Sequence, residues 1–483
     1  MNVAESVPIL QGYEIVKTTG GTLIQGNLAG YFHGISTDSR HIKQGSLFIP
    51  LKGERYDGHD FLAGAVNGGA TGLLVQKGSE NKLSSWDESI TVILVEDTLR
   101  ALGDIAHFWR KKFTATVVAI TGSSGKTTTK EMIAGIAGIK RNVIKAQGNF
   151  NNLVGAPLTL LNLNDQHDVI ILEMGTNRRG EIKRLTRIAE PDIGLITNIG
   201  PAHLEGLKSL EMVKEEKCDL FHTMAASGTA IINLDDEALR GTIDIWRGKS
   251  ITFGLRPDAD VSAENIISHG IQGVSFTLRI GGERKEIHLT TAGEHNICNA
   301  LAAAATSWAL GIEQPIICQG LMAFRPVPGR MEICQLQNGA FIINDTYNAN
   351  PASVREALRT LRDLKGSHNS TVILGDMLEL GDRTEEMHEE IGSLMADTGV
   401  GTIFLRGKLS KAAAAGAFKR NMKANRTFFF ETPDEVIPHL KATLKKGDWV
   451  LVKGSRMMKM EETVRAIIES FGLCKDQGAK EKA

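Results

Sequence analysis

From Thr116 onward the chain alternates short apolar, β-branched runs with segments whose apolar residues recur at helical spacing. The runs 116–121, 168–173, 193–198, 229–233, 341–345, 371–375, 402–406, 427–430 and 449–453 read as strands. This alternation predicts an α/β protein with parallel sheets flanked by helices. Before residue 113 the strands are shorter and glycines denser (Gly20-Gly21, Gly68-Gly69), and a helix around Leu99–Lys112 leads into the first long run. Near Phe324–Arg330, Pro326 and Pro328 interrupt the pattern before a fresh strand–helix series begins. The breaks predict three domains, 1–112, 113–328 and 329–483. The uncharged, alanine-rich stretch Ile297–Ile312 is shorter than the ~20 apolar residues that span a bilayer, so it reads as a packed helix. There is no internal repeat or long linker, and the polar tail 475–483 is expected to fray.

Ligands of parallel α/β folds bind beyond the carboxyl ends of strands, so polar residues just after each run carry extra weight. The first such turn is Gly122-Ser123-Ser124-Gly125-Lys126-Thr127-Thr128, behind the run Val117-Val118-Ala119-Ile120-Thr121 and ahead of a predicted helix. Backbone N–H groups, a helix N-terminus and one lysine converge there, as a polyphosphate requires. The general pattern has a glycine where this chain has Ile120, so only the shorter Gly-Ser-Ser-Gly-Lys-Thr match stands. A plain strand-to-helix turn is the alternative. The Lys-Thr pair directly after the second glycine favours an ATP or GTP site.

Composition then narrows the class. The 483 residues are 42% hydrophobic and 23% charged, an ordinary globular balance, and too long for a single core. A net charge of −1 gives no reason to expect a nucleic acid or an anionic membrane as partner. The five cysteines, 218, 298, 318, 334 and 474, form no Cys-x-x-Cys pair and suit a reducing cytosol. No signal peptide and no membrane span are expected.

Several strand-end groups suit phosphate chemistry. The Thr127 hydroxyl and Glu173, which closes Val169-Ile170-Ile171-Leu172, are candidates for a hard cation such as Mg²⁺. His203 follows the Gly200-Pro201 turn past another strand, at the sheet edge where ligands bind, and a structural histidine is the alternative. Lys217, within Glu215-Glu216-Lys217-Cys218-Asp219, reads by itself as part of a solvated helix face. Asn296 and Asn299 share a helix face and can contact an adenine or cap the helix. Asp345, in Asn344-Asp345-Thr346-Tyr347-Asn348-Ala349-Asn350-Pro351, is placed to hold a ribose hydroxyl, with its neighbours lining a cleft.

Taken together these strings resemble the Mur ligases, the ATP-dependent amide-forming enzymes of peptidoglycan assembly. The resemblance spans essentially the whole chain. It rests on residues 122–130, Gly148-Asn149-Phe150-Asn151-Asn152, Glu173-Met174-Gly175, 196–205, Gly329-Arg330-Met331-Glu332, 345–351 and Val452-Lys453-Gly454-Ser455-Arg456. Thr37-Asp38-Ser39-Arg40, Phe48–Gly53 and Asp57–Phe61 look like the family's UDP-sugar-binding module, which folate polyglutamylating ligases typically lack. The Asp-Asn-Pro-Arg signature of the ligase for the third stem-peptide residue is absent.

The resemblance implies an N-terminal α/β UDP-substrate domain, a central P-loop domain with a parallel sheet, and a C-terminal Rossmann-like domain that receives the incoming dipeptide. It implies ATP with two Mg²⁺, and UDP-N-acetylmuramoyl-tripeptide and D-alanyl-D-alanine as substrates of a cytoplasmic monomer. By the same resemblance Lys126, Glu173, His203 and an N-carboxylated Lys217 are catalytic, with Thr127, Glu173, His203 and Lys217 holding metal. Lys217 is chosen over Lys214 by alignment to Leu220-Phe221, although Asp219 stands where relatives usually have Glu. Gly122, Ser123, Ser124, Gly125, Thr128, Asn296, Asn299, Arg330, Asp345 and Tyr347 are implied in nucleotide binding. Ser39, Arg40, Asn149, Asn151, Asn152, Asn348 and Asn350 are implied in substrate binding.

Overall fold

The computed structural model describes residues 8–53, 55–242 and 246–474, so the expectation for the tail 475–483 lies outside the described residues. Three large sheets account for the chain, using strands within residues 22–95, 116–289 and 332–453 in turn. The first has five strands, four of them successively parallel and Thr22–Gln25 antiparallel at one edge.

The nine-stranded central sheet is led by Val143–Lys145, then Val169–Glu173, Thr116–Thr121, Ile193–Ile196, Thr229–Asn233 and Lys249–Gly254, all parallel. These strands are near-continuous apolar runs because helices cover both faces; Val117–Ile120 and Val169–Leu172 are fully buried. The sheet does not stay parallel. Val261–Ser268, Val274–Ile280 and Glu283–Leu289 close it as an antiparallel meander. The parallel sheet expected for this domain is present, and the meander extends it at one edge. In Val274–Ile280 buried and half-buried residues alternate, the mark of a strand covered on one face, where continuous apolar runs mark a strand covered on both. Residues 332–335 likewise add an antiparallel edge strand to the six-stranded C-terminal sheet, whose other pairings are parallel.

All nine expected strands form, with 168–173 beginning at Val169 and 193–198 ending at Ile196. The alanine-rich segment is the helix Glu294–Ala309, with Ala300 and Ala302–Ala305 buried. Its small side chains let it lie close against the helix Lys126–Ala137 in the core on one face of the central sheet. The core on the other face is continuous with that of the N-terminal sheet, joining Leu102, Leu160 and Leu220 to Leu47, Leu74 and Ile93. Among the described residues no helix is long and apolar enough to cross a membrane. The carboxyl ends of the central and C-terminal strands face one another, with Glu173 on one side of the intervening cavity and Asp345 and Lys453 on the other.

Candidate active site

Position 120 explains the shortened P-loop. Ile120 is still a buried strand residue, its carbonyl accepting from Met174 N, so the turn begins only at Gly122. Gly125 caps the following helix with φ 79°, and a Cβ there would lie 2.3 Å from Asn299 Oδ1, so both backbone and space demand glycine. The loop is braced from the next strand end: Thr197 Oγ1 donates to Ser124 O at 2.6 Å, and Ser124 N donates to Asn198 Oδ1 at 3.0 Å. Ser123 Oγ donates to Gly200 O at 2.8 Å. Lys126 Nζ folds back onto Gly122 O at 2.7 Å. Burial lowers its pKa, against the pull of Glu173.

Glu173 ends its strand almost fully buried. Thr127 Oγ1 donates to its Oε2 at 2.8 Å and Asn151 Nδ2 to its Oε1 at 3.0 Å. Burial alone would raise the carboxyl's pKa, but Lys126, Asn151, Arg330 and Thr127 together hold it below the usual range. Arg330 reaches across from the C-terminal side, donating to Thr127 Oγ1 at 2.8 Å while its guanidinium lies 4.0 Å over the Tyr347 ring. Lys130, which sequence reasoning passed over, is buried 4.0 Å from Glu173 and donates to Ala146 O at 2.7 Å. It pins the start of the loop that carries Asn149, Asn151 and Asn152. Its only signal was its position one helical turn after Lys126.

Lys217 does not sit on a solvated face. It is 1% exposed, and its Nζ donates to Gly122 O at 3.1 Å from behind the loop. Burial and the nearby Lys126 drive its pKa well below the ordinary lysine value. Lys214 lies at the surface, 3.9 Å from Glu211. His203 lines the cavity, and its Nδ1 lies 2.7 Å from Glu379 Oε2 of the C-terminal domain.

At the far end Asn299 Nδ2 donates to Asn296 Oδ1 at 3.3 Å, and Asn296 Nδ2 to Ala292 O at 2.8 Å. Gly293 is the helix cap, so the capping alternative for this pair is not realised. Asp345 forms an ion pair with buried Lys453 and accepts from Met331 N at 3.2 Å. Beside them His295 Nδ1 is buried without a partner, and burial pushes this histidine down to about 4. Asn350 caps the helix Pro351–Lys365, and its Nδ2 reaches Ser123 O at 3.2 Å. Asn348 Oδ1 accepts from Arg456 N at 3.3 Å.

One cavity of about 920 Å³ therefore gathers Ser123–Thr128, the three loop asparagines, Glu173, His203, Asn296, Asn299, Arg330, Asp345, Tyr347, Asn348 and Asn350. That is room for a nucleotide and part of a second substrate. Gly122 and Lys217 stand behind it. Ser39 and Arg40 are not brought to it: they form a turn capped by Asp38, and the Arg40 guanidinium is spent on Asp38 at 2.9 and 2.7 Å.

Among the described residues no group of three or more His, Cys, Asp and Glu side chains converges as a ready metal cage. Thr127 Oγ1 and Glu173 Oε2 nevertheless offer adjacent hard oxygens beside the phosphate loop. That donor set fits a Mg²⁺ carried in on a nucleotide.

Comparison with known proteins agrees across the chain. Residues 31–110, 120–307 and 329–456 match, in order, the Mur ligase family catalytic domain, the Mur ligase middle domain, and the glutamate ligase domain of Mur ligases. UDP-N-acetylmuramoyl-tripeptide–D-alanyl-D-alanine ligase of Bacillus subtilis is 36% identical over 454 residues, covering 93% of this chain and 97% of its own. MurF from Acinetobacter baumannii superposes with TM-score 0.86 at 31% identity, over 96% of this chain and all of the other. MurF ligase from Thermotoga maritima, solved in complex with ADP, gives TM-score 0.79 at 28% identity, over 90% of this chain and 97% of its own. A phosphate loop facing Arg330 across a cleft, over a fold shared from end to end with these enzymes, places this chain in the Mur ligase family.

Proposed function

We propose that this chain joins D-alanyl-D-alanine to UDP-N-acetylmuramoyl-tripeptide, cleaving ATP to ADP and phosphate, as an enzyme of peptidoglycan precursor synthesis. The observation that carries the reading is the cleft itself. A P-loop lysine, an ionised Glu173 and His203 on the central domain face Arg330 and Asn350 from the C-terminal domain across one cavity.

A terminal carboxylate of the tripeptide attacks the γ-phosphorus, ADP leaves, and the resulting acyl phosphate is attacked by the dipeptide's amine with release of phosphate. Two anions meet in the first step, so charge neutralisation and positioning carry most of the catalysis. Lys126 and Arg330 supply positive charge beside the phosphates. Asn296 and Asn299 hold the adenine end, and Asp345 the ribose. Thr127 and Glu173 would hold one Mg²⁺, and His203 and Lys217 a second, and the ions would supply further charge neutralisation.

An ammonium at Lys217 would repel such an ion. A buried lysine whose proton is already disfavoured is the amine that adds to CO₂, losing a proton and gaining carbamate oxygens. The resulting N-carboxylated Lys217 is part of this proposal. Asn149, Asn151 and Asn152 guide the peptide, while Ser39 and Arg40, outside the cavity lining, serve the UDP end on residues 1–112. Residues 113–328 form the ATP domain and 329–483 the dipeptide domain of a cytosolic monomer.

Phosphate release coupled to D-alanyl-D-alanine, measured against a panel of UDP-muramoyl peptides, tests the reading. Turnover is expected only with a tripeptide. Release that ignores both acceptor and amine would refute it.

A further inference from the structure

Among the described residues, His203 is the one cavity-lining residue of the central domain whose side chain is held by the C-terminal domain through a carboxylate. Its Nδ1 lies 2.7 Å from Glu379 Oε2, and its Nε2 has no hydrogen bond or ion pair among the described residues. Both partners adopt left-handed backbone, φ 55° at His203 and 65° at Glu379. That conformation is uncommon for non-glycine residues, and such strain gathers where the surroundings impose a functional geometry.

The surroundings here impose it in three ways. Glu205 N donates to Glu379 O at 3.1 Å. Gly381, at φ 63°, leaves only 3.1 Å between a would-be Cβ and Leu204 O. Below them Leu204, Leu207 and Val213 share one core with Met377, Leu380 and Met387, so a segment of the central domain is packed inside the C-terminal one. The contact itself is half-exposed and would add little stability. Orientation is what it can supply.

We propose that Glu379 is a positioning residue for the reaction: accepting Nδ1–H, it fixes the His203 tautomer that turns a free Nε2 lone pair to the cleft, and it can do so only while the two domains are in contact. The proposal rests on the reading of His203 as a metal ligand. Ligating histidines generally pass their second N–H to a carboxylate, a backbone carbonyl or water, and losing that partner weakens metal binding about 10–100-fold.

The test uses the full chain with a non-hydrolysable ATP analogue and the UDP-tripeptide, titrated with Mn²⁺ and read by electron paramagnetic resonance. Glu379→Ala should weaken one class of Mn²⁺ site by about 10–100-fold and leave the other unchanged. Glu379→Gln, whose amide oxygen still accepts from Nδ1–H, should stay close to the parent protein. In steady state, Glu379→Ala should raise the Mg²⁺ requirement while KM for ATP holds. An unaltered Mn²⁺ titration in Glu379→Ala, with His203→Ala weakened, would overturn the proposal alone. An unaltered titration in His203→Ala would remove the metal reading of His203 and the proposal with it. Glu379→Gln failing as badly as Glu379→Ala would also overturn it.

Discussion

The two halves of the cleft are built differently. The phosphate half is local to the central sheet: Lys126 bonds Gly122 four residues away, and Thr127 meets Glu173 46 residues on, at the end of the neighbouring strand. The seam half joins residues 176 to 227 apart, in His203 with Glu379, Arg330 with Thr127, and Asn350 with Ser123. The first half exists whenever the central sheet is folded. The second exists only when the central and C-terminal domains touch. Nucleotide binding and the chemical step should therefore respond differently to mutation, because only the latter needs the seam.

Lys126→Ala should have the largest effect. It removes the one P-loop ammonium, and phosphate release should fall at least ~10²–10³-fold. Protection by the UDP substrate against thermal unfolding should persist; loss of both would signal a folding defect and erase the distinction between halves. Lys217→Ala should also fall steeply in turnover, and small carboxylates such as formate or acetate should restore part of it. Rescue failing at every concentration would remove the carbamate from the phosphate half.

Asn350→Ala strikes the seam, losing a helix cap worth ~1 kcal/mol and the bond to Ser123. A melting temperature lower by roughly 2–4 °C is expected, with reduced kcat and unchanged affinity for ATP. Affinity falling in step with kcat would break the comparison.

His295 should give the smallest effect. Burial, aided by Lys453 and opposed by Asp345, depresses its pKa from 6.5 to about 4, so the unfolded chain binds the extra proton between those values. Its contribution to stability is thus complete above about pH 6.5 and declines as pH falls toward 4. His295→Gln should flatten that part of the melting profile. Identical pH profiles in the two proteins would show that the ring is not buried neutral.

Much of this was legible beforehand for reasons of range. The P-loop, Glu173 and the nine long strands rest on neighbours a few residues apart, where periodicity and turn chemistry act directly. The meander from Val261 to Leu289 was not, because strands covered on one face alternate and carry no continuous apolar run. Lys217 is the sharpest case among the site residues. Its charged neighbours spell a solvated helix, yet only the packing of Leu210–Thr223 under the phosphate loop turns that side chain inward. Lys130 offered only its place one helical turn after Lys126, and Glu379 gave no signal that a spacing rule could rank above any other glutamate.

The sequence by itself determined the chemistry available: a phosphate-binding turn, strand-end acids and amides, and the breaks that separate three sheets. Tertiary structure alone decided which of these groups meet, that Arg330 lies on Thr127, Lys217 behind Gly122 and Glu379 on His203. Local backbone preferences extend over a few residues. Contacts across a seam are set by how whole hydrophobic faces bury one another, and no short stretch of the chain encodes that.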